Sequence, residues 1–365
     1  MAAGSSSIVE KIGKNLSRME KEKKYTFNNG NGKSHWMIIK TGREKEEEIE
    51  IIVEKGKIDR TKEYKYLGNW LTEKGNIERQ LDEIRSKTKG MIAEVKRIGS
   101  EGKTGRMSTE VQLLMYERTV LPAMIYNLEV WTNWRKSDWE QLERIQNDAL
   151  KEILQLPKGT AGWGLRKELG LWPLKERIVY KKLMMYQQMM NATTERLCTK
   201  VVKEQKRMKY EKCWYSELEE DAKTYGVDLE QVEEKKKSEW KKMVKERING
   251  EVERKTKESE IAGKKQRHQK GNKFERQEYL KEVGIRKASE MIRTRLEMWD
   301  IGRNMGKDWK CKCGEDETIE HIMTCQRMKE RYGSEMEIMD VENAKKEELG
   351  KVTEWVIRYI EERQR

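Results

Sequence analysis

The chain of 365 residues carries 78 lysines and arginines against 65 aspartates and glutamates, a formal net charge of +13, and only 35% of it is hydrophobic. That length allows two or three small domains with modest cores. The charge favours a polyanionic partner, nucleic acid ahead of an anionic membrane surface. No run of about 18 apolar residues occurs, which excludes a membrane-spanning helix, and five cysteines, three of them in one cluster, do not make a disulfide framework.

In chain order, residues 1–24 read as a polar tail without the apolar core of a secretory signal. Residues 25–75 hold strand patterns. In EIEIIVEKGKI, Ile49, Ile51 and Val53 alternate with Glu50, Ile52 and Glu54, and breaks at Thr41-Gly42 and Lys55-Gly56 separate the pieces. A small antiparallel sheet of three or four strands between Trp36 and Leu71 is expected. From there the fold is mainly α: only three prolines, with abundant Lys, Glu, Gln and Met, favour long helices.

Residues 76–193 read as a helical bundle. The first helix has Asn76 as N-cap and Leu81, Ile84, Met91, Ile92, Val95 and Ile98 on one stripe. The second starts at Thr109, and Pro122 should kink or break it. A third opens on the capping box Ser137-Asp138-Trp139-Glu140 and buries Leu142, Ile145, Ala149, Leu150, Ile153 and Leu154 before Pro157 stops it. A fourth starts at Pro173. Trp131, Trp134, Trp139, Trp163 and Trp172 are expected in the core of this bundle. Residues 194–307 read as a charged helical connector, solvated or partly disordered, with scattered anchors Trp214, Trp240, Val244 and Ile248. Residues 331–365 end in an amphipathic helix with Leu349, Val352, Trp355, Val356 and Ile360 on one face.

Between them, residues 308–330 contain CKCGEDETIEHIMTC. Cys311, Cys313, His321 and Cys325 supply three thiolates and an imidazole, the ligand set of a closed tetrahedral structural zinc site. Four protein ligands leave no open position for water, so Zn2+ here would hold a fold rather than hydrolyse a bond. Gly314 suits the sharp turn of such a knuckle, and ETIEH begins a short helix presenting His321, with Ile319 and Ile322 covering the site.

The order of these motifs resembles the C-terminal part of a non-LTR (LINE-type) retrotransposon reverse transcriptase. Lys33-Ser34 with HWMII resembles the palm segment beyond the catalytic strands. Tyr66-Leu67-Gly68 resembles the primer-grip hairpin. VQLLMYERTVLPAMIYNLEVW with LERIQNDALKEILQLP resembles the helical thumb, ELGLWPLKERI a segment that follows it, and the Cys/Cys/His/Cys knuckle has Glu320 directly before His321. The family's catalytic aspartates include an adjacent pair, and no Asp-Asp pair occurs in this chain. The resemblance therefore implies binding of RNA or DNA without catalysis by this chain.

The expected contacts follow from that. Gly68 allows close backbone approach to a sugar-phosphate, beside Tyr66, Leu67 and Trp70. Lys33, Arg79, Arg85, Lys89, Lys96, Arg97, Lys103 and Arg106 supply charge for phosphates. Near the knuckle, Lys310, Lys312 and Arg327 do the same, and Trp309 can stack on an unpaired base. Two other readings are a truncated polymerase completed by upstream sequence, another chain or self-association, and a zinc-stabilised helical scaffold for protein partners, for which residues 194–260 lack a sustained heptad pattern. The cysteine usage fits a reducing compartment, nucleus or cytoplasm, with no membrane partner.

Overall fold

The computed structural model describes residues 6–23, 34–39, 51–53, 56–100, 108–194, 196–209, 211–262, 274–301, 310–332 and 345–364. It is mainly helical with two small sheets, and it divides into two units, Met1–Glu83 and Ile84–Arg365.

The first unit opens with helix α1 (Ser6–Lys23), where a polar tail was expected. The reason is visible in the spacing: Ile8, Ile12 and Leu16 recur every fourth residue. Leu16 packs on the sheet beside Trp36, Ile51 and Ile58. The strands are β1 (His35–Trp36), β2 (Ile51–Val53) and β3 (Gly56–Arg60), in the order β1-β3-β2. β2 and β3 pair antiparallel, Ile51 facing Ile58, while β1 runs parallel to β3, Trp36 facing Arg60. The expected single antiparallel sheet is thus two sheets, one with a parallel edge. The second is the hairpin β4 (Glu63–Tyr66) and β5 (Asn69–Thr72). Its two-residue turn places both Leu67 and Gly68 at positive φ, 46° and 86°. That handedness matches the strand twist, and Gly68 adopts it without strain.

Helix α2 (Glu78–Ser100) buries Leu81, Ile84, Ile92 and Val95 of its expected stripe and leaves Met91 and Ile98 half-buried. Asn76 is not its cap; the helix starts two residues later, and the Asn76 side chain bonds the Thr72 hydroxyl at 3.4 Å.

In the second unit, Pro122 does not break its helix. α3 (Thr109–Met115) passes through one π turn, Tyr116–Val120, into α4 (Leu121–Met124). The Leu121 amide reaches back five residues to Tyr116. The widened turn just before the proline relieves the clash its ring makes with the carbonyl four residues back. Helix α5 (Lys136–Ile153) buries five residues of its expected apolar face, and the sixth, Leu154, is buried at its C-cap. Its cap differs from the Ser137 box: the Asp138 carboxylate accepts from the Arg135 amide at 2.9 Å and from the Arg135 guanidinium at 2.7 Å. α6 (Gly162–Leu169) and α7 (Leu174–Met190) follow, with Pro173 at the N-cap of α7. Trp131, Trp134, Trp139, Trp163 and Trp172 are all half-buried rather than fully in the core, and Trp172 packs against the core of the second unit.

The charged stretch after residue 194 is not a solvated connector where it is described. It forms α8 (Leu197–Met208), α9 (Trp214–Thr224) and α10 (Lys237–Ala262). Trp240, Val244, Ile248 and Val252 of α10 are buried in one core with Val179, Leu183 and Tyr186 of α7 and Leu218 and Ala222 of α9. Helices α11 (Tyr279–Glu282) and α12 (Ile285–Arg295) are separated by Val283-Gly284. The Val283 carbonyl instead accepts from the Thr109 hydroxyl at 2.8 Å, tying this corner to the start of α3. A buried pair, Glu168 of α6 and Arg295 of α12, lies 3.5 Å apart, and the Tyr279 hydroxyl donates to Glu168 at 2.6 Å.

Candidate metal centre

Three short elements build the site. Cys311 and Cys313 flank a tight turn in which the Gly314 amide donates to the Cys311 carbonyl at 2.8 Å and the Cys311 amide donates to Glu315 at 2.8 Å. Lys310 and Asp316 close it as a small antiparallel bridge. Gly314 sits at φ +97°, a conformation L side chains rarely adopt. Helix α13 (Ile319–Thr324) is capped by Thr318, whose hydroxyl accepts from the His321 amide at 3.1 Å. This fixes the first turn that carries His321. Cys325 ends α13, and its carbonyl accepts the Met328 amide at the start of α14 (Gln326–Tyr332). Thr318→Ala is expected to cost about 1 kcal/mol, read as a lower denaturation midpoint.

One ligand atom from each of Cys311, Cys313, His321 and Cys325 lies within 4.8 Å of all the others. The Cys311 and Cys325 sulfurs are 3.7 Å apart, too far for a disulfide. Cys313 Sγ and His321 Nε2 are 3.3 Å apart. The cluster can hold a metal ion. Burial works to raise the Cys311 thiol, but the Tyr359 hydroxyl, the Cys313 amide and the His321 ring outweigh it and bring it down to about 6. Cys325, with burial dominant, is pushed up to about 11.

Behind the ligands lies α15 (Lys346–Gln364). It buries Leu349, Val352, Trp355 and Val356 as expected, with Tyr359 buried and Ile360 half-buried. The Trp355 indole N–H donates to the Ile322 carbonyl at 2.8 Å. Buried Glu317, between the two halves of the knuckle, accepts from the Tyr359 hydroxyl at 2.7 Å and from Arg363 at 2.9 Å. Sequence reasoning placed the ligands and the helix but missed that Tyr359, Arg363 and Glu317 join them; their separation along the chain gives no local signal.

The other expected site residues distribute as follows. Lys33, Lys103, Arg106 and Trp309 lie outside the described residues. Lys310, Lys312 and Arg327 are exposed and line a cavity of about 370 Å³ with Cys311, Cys325 and Tyr359. In the first unit, Tyr66 and Leu67 project at the hairpin tip, 50% and 70% exposed. Trp70 is half-buried under the Arg79 guanidinium, 4.2 Å from its ring centre, and Arg79 also pairs with Glu63 at 3.4 Å. On α2, Lys89 is exposed and Arg85 half-buried, while Lys96 pairs with Glu152 at 3.1 Å and Arg97 with Glu94. The structure therefore brings the four ligands together, and Trp70 with Arg79. Comparison with protein-family models, with curated proteins and with solved structures returned no match.

Proposed function

We propose that this protein binds nucleic acid through cationic surfaces, that a structural zinc ion holds its C-terminal module in shape, and that it performs no chemistry of its own. The carrying observation is the ligand geometry. Zinc–sulfur bonds of about 2.3 Å and zinc–nitrogen bonds of about 2.0–2.1 Å put tetrahedron edges at about 3.8 Å between sulfurs and about 3.6 Å between sulfur and nitrogen. The distances of 3.7 Å and 3.3 Å fall close to these. All four positions are filled by protein, which suits a structural ion.

The module presents exposed Lys310, Lys312 and Arg327 around the ligands, groups that neutralise phosphates. The motif order that resembles a non-LTR reverse transcriptase, without an Asp-Asp pair, supports a nucleic-acid-binding fragment derived from such an enzyme. Titration of the full chain with a labelled structured RNA tests the reading. With about four phosphate contacts, affinity should fall about a hundredfold for a fourfold rise in salt, and Cys313→Ser should weaken it further. Affinity that is undetectable, or flat with salt, would sink it.

A further inference from the structure

A cleft of about 760 Å³ lies between α5, α6, the start of α7 and the second half of α10. Its walls carry three of the five tryptophans expected in the core. Trp134 and Trp139 stack face to face, centroids 3.9 Å apart and planes 14° apart. Trp163, half-buried, supplies a third indole. The Lys175 ammonium sits 5.6 Å over the Trp139 ring.

The charges here are unevenly matched. The wall glutamates have partners: Glu143 with Arg166 at 3.3 Å, Glu176 with Lys255 at 3.0 Å and Glu140 with Lys136 at 3.9 Å; Asp148, exposed on the same wall, has no cation within 4.0 Å among the described residues. Arg144 and Lys175 differ, for among the described residues neither has a carboxylate within 4.0 Å. Three half-buried indoles beside two cations that lack a carboxylate partner offer apolar faces and phosphate partners together. Indoles accept any base by stacking, and cations on the rim follow the sugar-phosphate chain. Bases in a duplex are stacked on one another and cannot lie on an indole without being splayed out. The volume falls within the about 300–1,000 Å³ of small-ligand sites, room for a short stretch of strand.

We infer that this cleft binds unpaired nucleic acid, its bases against Trp134, Trp139 and Trp163 and its phosphates on Arg144 and Lys175. The inference rests on the nucleic-acid reading above but assigns the single-strand contact to the cleft and not to the knuckle.

The test uses the full chain and a fluorescently labelled oligouridylate of about ten nucleotides, with an RNA duplex measured in parallel. Trp163→Ala and Arg144→Glu should each weaken single-strand binding about tenfold or more, and change duplex binding about twofold or less. Arg144 is exposed, so the melting temperature of Arg144→Glu should match the parent and separate contact from folding. If the parent binds the oligouridylate and both variants bind it equally well, the cleft is excluded while the broader reading stands. If the parent binds neither RNA, both readings fall. If uridine monophosphate displaces the oligomer at equal nucleotide concentration, the occupant is a free nucleotide and the strand assignment is overturned.

Discussion

Cys325→Ser is expected to unfold the C-terminal module, with amide protection lost from Ile319–Tyr332 and from Leu349–Tyr359. Cys325 is 1% exposed and its sulfur faces that of Cys311. The module's core is small: Ile319, Ile322, Met323 and Met328 against one face of α15. Four-ligand zinc sites contribute about 10–16 kcal/mol of apparent binding energy, as much as the whole net stability of a typical domain, about 5–15 kcal/mol. Loss of the proposed ion would therefore outweigh what this core supplies. Cys313→Ser separates ligation from packing, because Cys313 is exposed and touches little of the core; it should unfold the module too. EDTA treatment should reproduce both effects. Hydrogen exchange unchanged by a chelator, in protein shown by mass spectrometry to contain no metal, would remove the ion from the account.

Trp240→Ala should lower the stability of the second unit by about 3–5 kcal/mol. Trp240 is fully buried, packs with α7 and α9, and donates its indole N–H to the Leu183 carbonyl at 3.3 Å. Neighbouring helices cannot collapse into a cavity of indole size without shifting α7 as well. Urea denaturation gives the measurement. A change under about 0.5 kcal/mol, the range of surface substitutions, would mean that α10 is a solvated helix after all.

That second result bears on what could be read in advance. The apolar faces of α2, α5 and α15 are broad stripes with several buried residues per two turns, so their periodicity was plain. α10 buries only one residue per turn, Trp240, Val244, Ile248 and Val252, each four apart. The positions between are filled by lysine, arginine, glutamate and asparagine apart from Met243 and Gly250, so composition pointed to solvent while spacing pointed to a core. The metal ligands were legible because they crowd into fifteen residues of a chain with five cysteines. The cleft was not, because a half-buried indole and a core indole look alike in sequence. The parallel pairing of β1 with β3 and the π turn before Pro122 depend on tertiary fit, which no local pattern encodes.

The four ligands span residues 311–325, and the helix that roofs them starts at 346. During synthesis a complete coordination set thus leaves the ribosome 346 − 325 = 21 residues ahead of its cover. At about 5–20 residues per second the interval is about one to four seconds. In that window the thiols are accessible both to an ion and to oxidants, and no long loop must close before coordination. Uptake of the proposed ion can therefore precede the docking of α15.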